Sequence, residues 1–476
     1  MSAGLWTAFE AAAATGGALC ARGGDPDRWI AEEWSAGGVS IDTRTLSPGE
    51  IFVALLDARD GHDFVNTAFE RGASAALVAR APKNAPDGAP LLVVGDTLEG
   101  LRDLARAARM RNFGKRIAVT GSVGKTSTKE MLRAAFGAAG RVHASDKSFN
   151  NHWGVPLTLA RMPINADFGV FEIGMNHAGE ITPLAQLVAP HVSIITTVGE
   201  AHIENLGTRE NIARAKAEIF FGAPKGASAV LPIDNDHYGL LAQAARAAGI
   251  DRILTFGETK AADIRLTSYA MRETGADVGA TIFGEPFDFA LDAPGQHQAM
   301  NALAVLGAAR ALGLSAARAA SGLKGLSAAA GRGAQTRVRL KSGAEVTILD
   351  ESYNANPTSM AAALALLGQM QPRGNGRRVA VLGEMLELGS EAPALHAGLA
   401  EALVAARVEA LYVAGALMQF LWEKAPTSAR AGLAADAKSL APMILGSLQD
   451  GDIVMVKGSN ASRVSEIVAA LKAAAA

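Results

Sequence analysis

"AVTGSVGKTSTKE", residues 118–130, is the stretch whose reading decides the fold. The apolar run from Ile117 to Val119 has the composition of a buried strand. A loop carrying Gly121 and Gly124 follows, then Lys125, Thr126 and Ser127. From there TSTKEMLRAAF puts Met131, Leu132, Ala135 and Phe136 on one face of a helix. Strand, glycine loop, Lys-Thr and helix in that order are the plan of a phosphate-binding loop. The usual spacing G-x-x-x-x-G-K-[ST] would place its first glycine at 119, where Val119 stands; the loop here is T-G-S-V-G-K-T-S. It still suits the task. Gly121 and Gly124 let backbone N–H groups across Gly121, Ser122, Val123 and Gly124 turn inward, and the helix start adds its positive end. Lys125 supplies a point charge to the β- and γ-phosphates of ATP, and the Thr126 hydroxyl suits Mg²⁺. The ordinary alternative is a tight strand–helix turn with a chance lysine.

The rest of the chain repeats this alternation. At 476 residues it exceeds one compact core. Residues 1–112 read as a small α/β unit, with EIFVALL and PLLVVGD as strands and LEGLRDLARAARMRNFG as a closing helix. Residues 113–334 read as a central unit. Its strand candidates RIAVT, FGVFEIG, VSIITTVG, SAVLPID and RILTFG are separated by helical patterns, which argues for a mainly parallel sheet. ADIRLTSYAMRETGADVGATIFGEPFDFAL alternates like antiparallel strands. GLKGLSAAAGRGAQTR is punctuation before a third unit, 335–476, with EVTILDESYN, RRVAVLGEM, ALYVAG and DIVMVKGS as strands of a small Rossmann-like sheet. Its VLGEM turn lacks G-x-G-x-x-G, so no dinucleotide site is expected. The expected class is therefore α/β in three domains.

Composition narrows the partners. The formal net charge is -2 and charged residues make up 19%, which does not suggest a nucleic-acid or membrane surface. A single cysteine, Cys20, excludes an intrachain disulfide framework and fits a reducing compartment. The first residues lack a basic, apolar leader pattern, and there is no apolar span of membrane length. A cytoplasmic protein, monomeric and without membrane insertion, is the expectation.

Further candidates sit where open α/β sheets place ligands, beyond the carboxyl ends of strands. Glu172 ends one such strand, His202 lies in the loop after the next, and Lys216 lies on the helix after that. Taken alone, each has an ordinary reading: a solvated carboxylate, a structural histidine, a surface lysine. Taken together they carry a resemblance. The shortened loop, with Glu172, His202 and Lys216 in this order, resembles the Mur ligase family, whose ATP-dependent members join an amino acid or peptide to a UDP-linked muramic acid substrate.

The resemblance implies roles. Thr126, Glu172 and His202 would hold Mg²⁺, and Lys216 would be carbamylated by CO₂ and help hold a second ion. Lys125, Glu172, His202 and Lys216 would carry the catalysis. GQHQAMNALAV resembles the segment that contacts adenine, with Asn301 matching and Gln298 departing from the family's asparagine. Arg332 in AGRGAQTR would meet phosphate oxygens. Asp350, Tyr353, Asn354 and Asn356 in LDESYNANPTSM would close over the nucleotide, although an Asn-Pro turn at a strand end is an equally local explanation. VLGEMLELG, His396 and VMVKGSNASR also match family segments; Lys457 would serve the incoming amine or remain structural. Asp42, Thr43 and Arg44 take the UDP-binding D-S-R positions, with threonine for serine. Asn150 and Asn151 in FNNHWGVPLTLARMP would approach the UDP-sugar. SYNANPTSM, and the absence of the D-N-P-R motif of the diamino-acid-adding branch, point to the branch that adds D-alanyl-D-alanine to UDP-N-acetylmuramoyl-tripeptide. The resemblance spans about residues 40–464. Another ATP-dependent amide ligase, of diamino-acid-adding or folylpolyglutamate type, and a regulatory P-loop ATPase are the alternatives.

Overall fold

A computed structural model of the chain describes residues 4–22, 34–146 and 148–475. The fold is mixed α/β, built on three main sheets. The central one has nine strands: β1 (Lys115–Thr120), β2 (Val142–Ala144), β3 (Phe168–Glu172), β4 (Val192–Ile195), β5 (Ser228–Pro232), β6 (Arg252–Gly257), β7 (Ile264–Met271), β8 (Ala276–Ile282) and β9 (Glu285–Leu291). Their spatial order is β9-β8-β7-β6-β5-β4-β1-β3-β2. Every pair from β2 to β7 is parallel, and β7–β8 and β8–β9 are antiparallel. The parallel strands are apolar because helices cover both faces. The polar stretch after them folds as the antiparallel extension its alternation predicts. Its β8–β9 turn uses Phe283 and Gly284 at φ 51° and 87°, the doubly left-handed geometry of a tight hairpin.

The phosphate-loop strand β1 lies between β4 and β3. The chain leaves β1 toward one side of the sheet and later returns on the other, so a crevice opens at the carboxyl ends of β1, β3 and β4. Helix α1 (Lys125–Gly137) packs its Met131, Leu132, Ala135 and Phe136 face into the core beside Ile117 and Val119. Val119, at the position of the absent glycine, is fully buried within β1.

The C-terminal sheet comprises β10 (Ala334–Arg339), β11 (Glu345–Glu351), β12 (Arg378–Gly383), β13 (Ala410–Ala414), β14 (Arg430–Ala434) and β15 (Ile453–Lys457). Its order is β10-β11-β15-β12-β13-β14, parallel except for β10. Sequence periodicity does not show β10 or β14. Both are edge strands with mostly half-exposed residues, so neither carries an apolar run. In the N-terminal sheet, Ala18–Ala21 pairs antiparallel with Pro90–Val93, which continues in parallel to Ala75–Val78, Glu50–Val53 and Gly38–Ser40.

One histidine ties the amino ends of the central strands. His191 Nδ1 accepts a hydrogen bond from Arg116 N at 3.0 Å, and its own N–H donates to Arg116 O. Burial and the nearby Arg116 and Lys115 lower its pKa from 6.5 to about 4. The unfolded chain therefore binds a proton between pH 6.5 and 4 that the folded chain refuses, and stability falls as pH drops through that window. The expected loss is about 2 kcal/mol after allowance for partial solvation. Urea titrations at pH 7 and 4.5 measure it, and His191→Asn, which keeps an acceptor without titrating there, reduces the difference.

Candidate active site

The phosphate loop is shaped by close approach. Gly121 has φ 155°, and a Cβ there would lie 1.8 Å from Thr196 Oγ1. Thr196 cannot swing aside cheaply, because its hydroxyl donates to Val123 O at 2.5 Å and its side chain is β-branched. Gly124 has φ 88°, and a Cβ there would meet Asn301 Oδ1 at 2.6 Å. Both loop glycines are thus required by backbone shape and by neighbours. Gly121→Ala is expected to cost about 3 kcal/mol of stability. Thermal unfolding checks this; an unchanged Tm would refute the packing argument.

Ser122 holds the loop to the β4 side: its N–H donates to Thr197 O, and its hydroxyl accepts from Gly199 N at 2.9 Å. Lys125 lies at the start of α1 and donates from Nζ to Gly121 O at 2.8 Å. Burial lowers the Lys125 pKa; Glu172 opposes that shift and Arg332 adds to it. Thr126 Oγ1 donates to Glu172 Oε2 at 2.8 Å and lies 3.2 Å from Ser148 Oγ.

These groups open onto a cavity of about 730 Å³. The residues from Ser122 to Ser127 line it, together with Asn150, Asn151, Glu172, His202 and Asn301. The opposite wall comes from the junction and the C-terminal sheet: Arg332, Tyr353, Asn354, Asn356 and Lys457. The Arg332 guanidinium stacks on Tyr353, 3.9 Å from the ring centroid, and its Nη2 reaches Ser148 Oγ at 3.5 Å. Lys457, at the carboxyl end of β15, donates to Asn354 O at 2.8 Å and stands 3.4 Å from Glu351 Oε2. Burial lowers the Lys457 pKa, while Glu351 favours its charged form.

Asn356 is not a turn that merely ends a strand. It is the N-cap of the helix Pro357–Gln369, accepting from Ser359 N at 2.9 Å, with Pro357 in the first helical turn. The next residue, Thr358, donates to Glu200 Oε2 at 2.8 Å and so latches this helix to the loop after β4. The same loop carries His202, whose Nδ1 lies 2.6 Å from Glu387 Oε2 but outside hydrogen-bond alignment. Both residues have left-handed backbone, φ 64° and 62°. Such strain gathers at functional contacts.

Other expected residues sit away from the cavity wall. Lys216, on the helix Arg209–Ala217, is 1% exposed and is not a lining residue. Burial first, then the charge of Lys125, drives its pKa well down. Asp350 also does not line the cavity; its carboxylate turns to the N–H and hydroxyl of Ser352. Asp42, Thr43 and Arg44 lie in the loop after Gly38–Ser40, outside this cavity, where Arg44 forks onto the Asp42 carboxylate. Asn151 lines the cavity, but its Oδ1 caps a helix by accepting from Gly154 N at 2.9 Å. His396 is buried, and its Nε2 accepts from Met385 N at 3.0 Å, a structural role. Sequence reading passed over Ser148, His297 and Glu351 as lining residues. Ser148 flanks a quoted motif, and His297 and Glu351 lie inside quoted motifs, but none has a spacing that marks it.

Among the described residues there is no cluster of three His, Cys, Asp or Glu side chains that could hold a metal ion. Thr126 and Glu172 nonetheless fit Mg²⁺: both offer hard oxygen, and this ion takes one or two protein ligands and completes its shell with phosphate and water.

Strand order, phosphate loop and facing walls together define a nucleotide-dependent P-loop enzyme with the α/β fold. The model of the Mur ligase middle domain matches residues 119–309, and that of the Mur ligase glutamate ligase domain matches residues 336–460. A UDP-N-acetylmuramoyl-tripeptide–D-alanyl-D-alanine ligase of Bacillus subtilis strain 168 is 35% identical over 439 residues, covering 90% of this chain and 92% of that protein. A crystal structure of MurF from Acinetobacter baumannii superposes with a TM-score of 0.84 at 29% identity, covering 98% of this chain and 99% of that one. A MurF ligase from Thermotoga maritima in complex with ADP gives a TM-score of 0.78 at 26% identity, covering 92% and 97%. The chain belongs to the Mur ligase family, and is an ATP-dependent, ADP-forming carbon–nitrogen ligase.

Proposed function

We propose that this ligase uses ATP to join the amine of D-alanyl-D-alanine to the terminal carboxylate of UDP-N-acetylmuramoyl-tripeptide, making the pentapeptide precursor of peptidoglycan. The observation that carries the reading is the shared cavity, where Lys125 and Thr126 of α1 and Glu172 of β3 face Arg332, Asn354 and Lys457 across about 730 Å³. The names of the relatives, at 30–35% identity over about nine-tenths of the chain, supply the substrate pair.

In this reading residues 1–112 bind the UDP end through Asp42, Thr43 and Arg44, residues 113–334 bind and cleave ATP, and residues 335–476 close over it. Residues 121–127, Asn301, Arg332 and Asn354 contact the nucleotide, while Asp350, turned to Ser352, shapes the segment that carries Asn354; Asn151 and Lys457 contact the acceptor substrates. Thr126, Glu172 and His202 hold Mg²⁺, with carbamylated Lys216. Bound Mg²⁺ supplies neutralisation of phosphate charge. Lys125 orients the γ-phosphate. A carboxylate oxygen of the tripeptide attacks the γ-phosphorus, the bond to the bridging oxygen breaks, and ADP leaves an acyl phosphate. The neutral amine attacks the acyl carbon, the bond to phosphate breaks, and amide, phosphate and one proton result. The Thr358–Glu200 contact holds the two walls together, which keeps water from the acyl phosphate. Among the described residues no helix is long and apolar enough to cross a membrane. We place the enzyme in the cytoplasm as a monomer acting on small molecules, without nucleic acid.

Phosphate release with ATP and Mg²⁺ tests the reading, with tripeptide substrate and D-alanyl-D-alanine together and each alone. Release that needs both, with a pentapeptide product by mass, is the expected result. Release indifferent to both would make the protein a regulatory ATPase. Release with the tripeptide and another amine would change the branch.

A further inference from the structure

Asn150 lines the cavity, but its amide N–H is engaged. Its Nδ2 donates to Glu172 Oε1 at 2.7 Å, while the other carboxylate oxygen, Oε2, accepts from Thr126 Oγ1 at 2.8 Å. Asn150 is itself fixed. Its carbonyl accepts from Gly174 N at 2.8 Å, and its N–H donates to Ser148 O at 3.0 Å. A Cβ at Gly174 would lie 3.0 Å from Asn150 Cγ. The chain continues from Thr126 to Ser148 Oγ at 3.2 Å and from there to Arg332 Nη2 at 3.5 Å. A line of polar contacts thus runs from Asn150 through Glu172, Thr126 and Ser148 to the arginine at the domain junction.

We infer that Asn150 is a positioning residue for the Glu172 carboxylate, fixing which oxygen faces the phosphate loop, and is not primarily a contact for the UDP-sugar. The chemistry selects an amide. Glu172 is 2% exposed, so its oxygens need donors. A neutral N–H at Asn150 satisfies Oε1 without adding a charge that would compete for a cation. It leaves Oε2 aimed beside the Thr126 hydroxyl, so the two hard-oxygen donors are pre-set as a pair. Groups that orient a cation-binding carboxylate in this way commonly change metal affinity by about 10–100-fold when removed.

The inference rests on the nucleotide- and cation-binding part of the reading above, not on which amine is joined. Its test therefore avoids turnover. Mn²⁺ binding to the full chain with ADP, followed by electron paramagnetic resonance, is compared for wild type, Asn150→Ala and Gly174→Ala. The second variant keeps the amide but crowds it, with a Cβ 3.0 Å from Asn150 Cγ that obliges it to shift by a few tenths of an ångström. Mn²⁺ affinity is expected to fall about tenfold or more in Asn150→Ala and by less in Gly174→Ala, with ADP binding in EDTA and calorimetric binding of UDP-N-acetylmuramoyl-tripeptide in EDTA changed less than about twofold. Thermal unfolding of each variant confirms that it is folded. Wild-type Mn²⁺ affinity in folded Asn150→Ala, or a loss confined to the tripeptide substrate, would overturn the assignment. If wild type itself binds no Mn²⁺ with ADP, the cation reading of the site fails, and the inference with it. Dependence on a different amine would leave both standing.

Discussion

Lys125→Ala is expected to lower kcat about 10³-fold while leaving the fold intact. The expectation follows from the loop. Lys125 Nζ is held by Gly121 O at 2.8 Å, at the mouth of the crevice where the phosphates would sit. It is a half-buried point charge, and its partial desolvation makes the charged form less favourable than in water. Delivered to a developing phosphoryl charge, such a preorganised donor contributes several kcal/mol, so its removal costs two to three orders of magnitude. Steady-state ADP formation measures the loss. Lys125→Arg is expected to recover little, because a planar fork cannot replace a compact ammonium inside a glycine-walled loop. Deleting the side chain removes a partly desolvated charge, so Tm is expected to hold or rise slightly. Activity of Lys125→Ala above about a tenth of wild type would contradict the role.

Lys216→Met is expected to produce the second large effect, with activity and stability moving in opposite directions. Lys216 is 1% exposed, and burial together with the charge of Lys125 depresses its pKa well below that of a free lysine. A lysine so placed is available as a neutral amine, the form that captures CO₂. Loss of the proposed carbamate is expected to lower kcat about 10²-fold or more, and a short carboxylic acid in the buffer is expected to restore part of it in Lys216→Ala, where room remains. Stability should rise, because the apolar side chain has no charge to desolvate. The sign with pH follows from linkage. Between the depressed folded pKa and the ordinary lysine value the unfolded chain holds more protons, so this group makes stability increase with pH. Lys216→Met loses that dependence. Full activity of Lys216→Ala would sink the carbamate, and a fall in Tm for Lys216→Met would sink the burial argument.

Much of this molecule was legible in its sequence. The run Ile117–Val119, the loop to Lys125 and the amphipathic face of α1 are local patterns, each set by backbone geometry within a few residues. The same holds for the alternation of apolar strands with helices, for the antiparallel extension around Phe283 and Gly284, and for the strand-end placement of Glu172. Weak edge strands such as Ala334–Arg339 escaped because half-exposed positions leave no apolar period. Family resemblance added Lys216, which no spacing would distinguish from a surface lysine.

Only the tertiary structure decided which groups meet. Asn150 pairs with Glu172 across 22 residues and Thr358 with Glu200 across 158. Asp350 turns to Ser352 instead of the cavity, and Lys216 is enclosed. Local sequence fixes dihedral preference and face, since those depend on neighbours in the chain. The partner of a carboxylate or an ammonium is fixed by burial, which demands the nearest donor or acceptor whatever its distance along the chain.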